Sequence, residues 1–191
     1  MRKFVIYSQK ASTAPRITDL KAAGRIDILL HSIISALFAS NEFRDDVELH
    51  LILMGPPNSP RHITIKYHKD NTISKKDLKK LLEIALKRAK EGTVREIHPG
   101  VLVDDKPISK IVEELLEETQ NIFLLDAYGS HLKNFSKENL INPIFILGDH
   151  EGFEKKKKKK KKKNIRRLSL GPITYFTSQS ITIINYELDN L

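Results

Sequence analysis

The sequence of 191 residues contains no cysteine. Disulfide bonds, thiolate zinc sites and cysteine nucleophiles are therefore excluded, although this absence does not settle the compartment. No apolar stretch approaches the roughly 20 residues that a membrane-spanning helix needs. The apolar run that follows Met1 is too short for a secretion signal, so we expect a cytoplasmic protein.

The excess positive charge lies in one run of lysines. The formal net charge is +9, from 33 basic and 24 acidic residues, but lysine fills every position from 155 to 163. Without these nine lysines, 33 − 9 = 24 basic residues balance 24 acidic ones, so the rest of the chain is neutral on average. A run of like charges cannot pack on a sheet. It is either a disordered basic arm that holds RNA phosphates or an artefact in the sequence.

Hydrophobic periodicity predicts three helices, over residues 26–37, about 75–90 with Ser74 as N-cap, and about 108–118. Six apolar runs predict strands, at 5–7, 47–54, 63–67, 122–125, 144–147 and 181–186. Strands separated by helices indicate an α/β protein with a largely parallel sheet and helices on both faces. Residues 92–105 are either a boundary between two lobes or a loop within one domain, and we favour a single domain over residues 1–191.

Two glycine turns follow apolar segments. One runs from Gly148 through Asp149 and His150, and open α/β sheets bind ligands at such strand ends. The other is Ser169-Leu170-Gly171-Pro172, whose backbone groups can pair with a purine edge. Either turn alone is typical of an ordinary strand end. No Gly-x-Gly-x-x-Gly follows a strand, which disfavours a dinucleotide-binding oxidoreductase.

Taken together and in this order, the two turns and the following Ser178-Gln179-Ser180 resemble the C-terminal half of the SPOUT methyltransferases. The N-terminal segments Ala23-Gly24-Arg25-Ile26-Asp27 and Gly55-Pro56-Pro57 are similar to those of the archaeal tRNA (pseudouridine(54)-N(1))-methyltransferase family. The resemblance covers nearly the whole chain except the lysine run. It implies a C-terminal deep trefoil knot, an exception to the rule against knotted chains, with the cofactor bound over about residues 120–191.

The resemblance also implies a function. S-adenosylmethionine is the expected cofactor, a pseudouridine in the T arm of tRNA is the expected substrate, and a homodimer completes the RNA site across two subunits. The alternatives are methylation of another base, such as a pseudouridine in ribosomal RNA, and a non-catalytic RNA-binding protein. The family usually has a cysteine where Ser180 stands, so cofactor affinity is expected to differ. The residues expected to bind the cofactor are Leu125, Gly148, Ser169, Leu170, Gly171, Pro172, Thr174, Tyr175 and Ser180.

Methylation of N1 of pseudouridine requires loss of the proton on that nitrogen, which calls for a base or for a cation that stabilises the anion. We predict that Asp27 accepts this proton or orients the base, and that Arg25 holds the anionic base or a phosphate. The alternative is an ion pair that opens a helix, since acids are favoured in the first turn.

Other polar residues are given structural roles. Neighbouring side chains on a strand point apart, so Asp149 and His150 are expected to shape a loop and not to form a dyad. The histidines are scattered without metal-ligand spacing, and we assign no metal. The lysines of the second helix are interpreted as a solvated face, with an RNA track as the less favoured alternative.

Overall fold

The computed structural model describes residues 1–70, 73–148 and 165–191. Most strands form one eight-stranded sheet, and two short strands form a separate ribbon. The elements in chain order are β1 (Arg2–Ser8), α1 (Ile26–Leu37), β2 (Phe38–Ala39), β3 (Glu42–Phe43), β4 (Val47–Leu53), β5 (Arg61–Lys66), α2 (Leu78–Arg88), β6 (Arg95–His98), β7 (Val101–Asp104), α3 (Ile108–Glu118), β8 (Ile122–His131), β9 (Ile144–Gly148), β10 (Ile165–Ser169) and α4 (Thr177–Asp189).

The large sheet has the strand order β10-β8-β9-β1-β4-β5-β7-β6. The first five strands of this order are parallel to one another. The remaining three are antiparallel to their neighbours. The prediction of a mostly parallel sheet is confirmed. The carboxyl ends of the five parallel strands meet at one edge of the sheet, which we call the carboxyl edge.

Helices cover both faces of the sheet, as predicted. In β1, Phe4 and Ile6 face an apolar cluster that includes the buried sides of α1, α2 and α4. Val5 and Tyr7 face a second cluster built with α3. Strands that are buried on both sides read as continuous apolar runs, which is why β1 could be recognised in the sequence. β4 alternates from Val47 to His50 and then turns continuously apolar.

The prediction of a strand over residues 181–186 is wrong, because these residues lie within α4. Ile181, Ile184 and Asn185 are buried at the spacing of one helical face, and α4 packs on α1. The side chain of Gln179 accepts a hydrogen bond from the Phe176 N–H at 3.0 Å and so closes the first turn. Since β-branched residues lower helix propensity only slightly, tertiary packing outweighs the local preference.

Five strands were not predicted: β2 and β3 of the short ribbon, and β6, β7 and β10 of the large sheet. β6 and β7 form a hairpin within residues 92–105, and both belong to the large sheet. Gly100 connects them with φ +78°, and a Cβ there would lie 2.4 Å from the Lys66 carbonyl oxygen. The predicted cap of the second helix also differs. The Ser74 side chain accepts no hydrogen bond from the backbone of the helix, and its hydroxyl instead donates to the Asp77 carboxylate at 2.5 Å.

A line of polar side chains lies buried on the α3 face of the sheet, each at most 9% exposed. The Lys3 ammonium lies 3.0 Å from the Glu48 carboxylate, which accepts a hydrogen bond from His50 Nε2 at 2.9 Å. His50 Nδ1 lies 2.9 Å from His62 Nε2, and His62 Nδ1 lies 3.0 Å from the Asp104 carboxylate. We call Glu48, His50, His62 and Asp104 the buried relay.

Ion pairs tie the last helix to the start of the first strand. The Arg2 guanidinium lies 2.6 Å from the Asp46 carboxylate and 2.8 Å from that of Asp189, at the end of α4. Arg2 also donates to the Asn185 side chain at 3.1 Å. Among the helices that the structure describes, none is long and apolar enough to cross a membrane.

Candidate active site

A pocket of about 220 Å³ lies beside the carboxyl ends of β9 and β10, between β8 and the start of α4. All nine residues predicted to bind the cofactor line it, including Gly148 and Gly171 from the two glycine turns. These nine are Leu125, Gly148, Ser169, Leu170, Gly171, Pro172, Thr174, Tyr175 and Ser180. A second cavity of about 280 Å³, between the chain ends Met1 and Leu191, contains none of them.

Hydrogen bonds hold the two glycine turns in place. The Ser169 hydroxyl accepts from the Gly171 N–H at 3.1 Å, and Gly171 has φ +115°, a conformation that favours glycine. The Thr177 hydroxyl donates to the Gly148 carbonyl at 2.8 Å, which joins the start of α4 to the end of β9. The pocket wall is therefore a single connected unit of strand ends, turn and helix start.

Five further described residues line the pocket but were not predicted: Asp126, Ala127, Leu168, Ile173 and Thr177. The side chain of Asp126 brings a carboxylate to the described lining, and this residue is only 8% exposed. It accepts a hydrogen bond from the Tyr128 N–H at 3.1 Å, and the Arg167 guanidinium lies 3.8 Å away. An acid directly after the apolar run 122–125 was the signal that could have identified it.

The lining suits a ligand with an apolar ring and a positive charge. Leu125, Leu168 and Leu170 supply apolar surface, and the glycine turns bring backbone groups close. Asp126 is the one carboxylate among the described lining residues. S-adenosylmethionine combines a purine with a sulfonium cation, so the chemistry of these residues fits it. Ser180, at the position where cysteine is usual, is 2% exposed.

The predicted catalytic pair lies outside this pocket, at the start of α1. Arg25 and Asp27 form a bidentate ion pair, with Nε to Oδ1 at 3.0 Å and NH2 to Oδ2 at 2.9 Å. Because α1 connects the parallel strands β1 and β4, it begins at the carboxyl edge, the edge that also holds the pocket. The hydrogen bond from Arg25 lowers the pKa of Asp27 and raises the pKa of Arg25.

The turn before α1 has a tight backbone. Gly24 has φ +76°, and a Cβ there would lie 1.8 Å from the Lys10 carbonyl oxygen. Arg25 follows with φ 64° and no side-chain cap. This turn directs the Arg25 guanidinium to the surface, where its side chain is 42% exposed beside the half-buried Asp27.

Some predictions fall on residues that the structure leaves undescribed. Asp149, His150 and the lysine run 155–163 lie outside the described residues. Within residues 1–70, 73–148 and 165–191, no group of three His, Cys, Asp or Glu side chains is arranged to hold a metal ion.

Comparison with known structures defines the class of fold. The chain matches Nep1 from Archaeoglobus fulgidus, whose crystal structure has S-adenosylhomocysteine bound, with a TM-score of 0.66 over 99% of this chain and 97% of that chain. Sequence identity is 13%, so this likeness concerns the fold alone, a Nep1-like α/β fold.

The sequence identifies the family. Residues 1–191 match the family described as "Putative SAM-dependent RNA methyltransferase", and the chain belongs to this family. The tRNA (pseudouridine(54)-N(1))-methyltransferase of Methanocaldococcus jannaschii is 32% identical over 99% of this chain and 97% of its own length. The enzyme of the same name from Methanococcoides burtonii is 34% identical over 99% and 96%.

Proposed function

We propose that this protein transfers a methyl group from S-adenosylmethionine to N1 of pseudouridine at position 54, in the T arm of tRNA. One observation carries the proposal: nine residues from separate parts of the sequence line a single pocket, in a chain that belongs to a SAM-dependent RNA methyltransferase family. The full-length relatives with this named activity support the choice of base and RNA.

When bound, the cofactor supplies the methyl group, and the protein aligns donor and acceptor, since proximity provides much of the acceleration of a direct displacement. The glycine turns and the three leucines of the pocket position the donor. Arg25 stabilises the negative charge that develops on the base as the N1 proton passes to solvent water. Because its lowered pKa makes Asp27 a weak base, we assign Asp27 to orienting Arg25 and not to accepting the proton.

The target base of a folded tRNA must rotate out of its stack to meet the methyl donor. The Arg25–Asp27 pair and the pocket share the carboxyl edge but do not touch within one subunit. We therefore propose a homodimer in which Arg25 of one subunit faces the pocket of the other. Large apolar side chains in or next to the pocket lining support this, since Tyr128, Ile173 and Phe176 are 91%, 64% and 67% exposed.

The proposal also covers the topology of the chain and the cellular location of the protein. Residues 149–164 join β9 to β10, and a deep trefoil knot over residues 120–191 agrees with the likeness to a SPOUT fold. One sheet takes strands from residues 2 to 169, which supports a single domain. Because tRNA is the proposed substrate, we propose a cytoplasmic location for the protein.

The test is methylation of defined RNAs by the purified protein. A tRNA with pseudouridine at position 54 should gain one N1-methyl group, detected by nucleoside mass spectrometry. The same tRNA with uridine at that position should gain none. A methyl group found only on a ribosomal RNA pseudouridine would replace the proposed substrate. Failure to bind S-adenosylmethionine in calorimetry would refute a catalytic function altogether.

A further inference from the structure

The two helices in the middle of the chain carry opposite charges. α2 has Lys79, Lys80, Lys87 and Arg88 against Glu83, which gives 4 − 1 = +3. α3, of the same length, has Lys110 against Glu113, Glu114, Glu117 and Glu118, which gives 1 − 4 = −3. Because α2 and α3 cover opposite faces of the sheet, the neutral average hides one basic helix and one acidic helix on opposite sides of the molecule.

The lysines of α2 and its preceding turn are exposed, apart from the half-buried Lys79, and several have no acidic partner. Lys79 pairs with Glu83 at 3.8 Å, and the Glu83 carboxylate also accepts the Ile17 N–H at 2.9 Å. Within the described part of the chain, Lys76, Lys80 and Lys87 form no ion pair and no hydrogen bond through their side chains. We call Lys76, Lys80 and Lys87 the α2 lysine face. Lysines that stabilised the fold would be expected to pair with the acids nearby.

The α2 lysine face lies on the same side of the sheet as the pocket. Leu125, Leu168 and Leu170, which line the pocket, belong to or pack against the apolar cluster that holds the buried side of α2. α2 packs over β7 and β6, which are four and five strands beyond β9 in the sheet. At about 4.8 Å between neighbouring strands, α2 is roughly 20 to 25 Å from the pocket, a distance that an RNA helix spans but one nucleotide does not.

We infer that the α2 lysine face binds the phosphate backbone of the tRNA at a distance from the base that is methylated. The inference rests on the proposed function, since it assumes that RNA is the substrate. Lysine binds phosphate as a point charge without reading bases. Such contacts give affinity and orientation, and their energy depends on salt because each one releases counterions from the RNA.

The experiment compares two double variants with the same loss of charge. Lys80→Gln with Lys87→Gln removes two lysines of the α2 lysine face. Lys110→Gln with Lys137→Gln is the matched control, because Lys110 lies on the acidic helix α3 and the Lys137 ammonium donates to the Leu191 carbonyl. The dissociation constant of full-length tRNA is measured for both variants and the wild type over a range of salt concentrations.

The α2 variant should bind tRNA about tenfold more weakly at physiological salt, and the slope of log K against log salt should fall by about 1.5 to 2. The control should match the wild type. S-adenosylmethionine affinity, measured by calorimetry, and the single-turnover rate at saturating tRNA should stay unchanged in both variants. Unchanged cofactor affinity also shows that the fold is intact.

Equal tRNA binding by the α2 variant and the control would overturn the inference, whether both match the wild type or both are weakened by the lost charge. A wild-type protein that binds tRNA but methylates none would refute the proposed function alone. In that case a selective defect of the α2 variant would still support RNA binding by the α2 lysine face.

Discussion

Replacing Glu48 by glutamine tests how much stability the buried relay contributes. Two carboxylates flank two histidines, and three contacts join the four groups. A neutral imidazole carries one N–H proton. All three contacts can be hydrogen bonds only when the two rings carry three N–H protons in total, so one ring is then positively charged while both carboxylates are ionised. Burial lowers the pKa of the His50 imidazole, and the hydrogen bond to Glu48 opposes this effect.

The magnitude follows from the pKa of Glu48. Burial alone would raise it, but hydrogen bonds and charge from His50 and Lys3 outweigh burial and lower it from 4.5 to about 2. A carboxyl whose pKa is lowered on folding stabilises the protein above its unfolded pKa, here by about 3 kcal/mol at neutral pH. As the pH falls toward the pKa of Glu48 in the folded protein, this contribution disappears, and about 2 kcal/mol of it is lost by pH 3.

The free energy of unfolding of wild type and Glu48→Gln should be measured in urea at pH 7 and at pH 3. The wild type should be more stable by about 3 kcal/mol at pH 7 and by only about 1 kcal/mol at pH 3. Glu117→Gln is the control, since Glu117 is exposed on α3 and has no ion pair within the described residues. A gap between wild type and Glu48→Gln that does not change with pH would refute the linkage.

The remaining predictions concern Asp126 in the pocket, the Arg25–Asp27 pair and Gly24 in the turn before α1. Asp126→Asn should weaken S-adenosylmethionine binding about tenfold and S-adenosylhomocysteine binding less, because only the former carries a sulfonium charge; equal losses in calorimetry would contradict this. Arg25→Ala should lower the single-turnover rate at saturating tRNA about 100-fold. Asp27→Asn should lower it less and leave the pH profile of that rate unchanged, whereas a lost pH dependence would make Asp27 the base. Gly24→Ala should destabilise the fold by about 3 kcal/mol in urea unfolding, since backbone must move. Gly92→Ala, also at positive φ but with no atom within 4 Å of the added Cβ, should cost only about 1 kcal/mol.

Sequence patterns predicted those parts of the fold in which one face or both faces of an element are apolar. The helix over 26–37 and the strands around β1 and β4 have this property, and their positions were predicted to within a few residues. The residues of the pocket were predicted from resemblance, because nothing in their periodicity indicates that Gly148 and Gly171 meet. Chain topology brings them together.

The errors have local causes. The run at 181–184 is rich in β-branched residues, and only the contact of α4 with α1 makes it helical. β10 contains Arg166 and Arg167 and has no apolar alternation, so its pairing with β8 could not be read from its sequence. Asp126 was missed because a single acid after a strand is common. Whether Arg25 faces a partner's pocket depends on a second subunit, which one sequence does not contain.

The order of strands has a consequence for how the protein is made. β1 pairs with β9, which is synthesised more than 130 residues later. The pocket also needs the start of α4, and the second ion pair of Arg2 needs Asp189 at the end of that helix. A nascent chain therefore cannot complete the pocket until α4 has been translated.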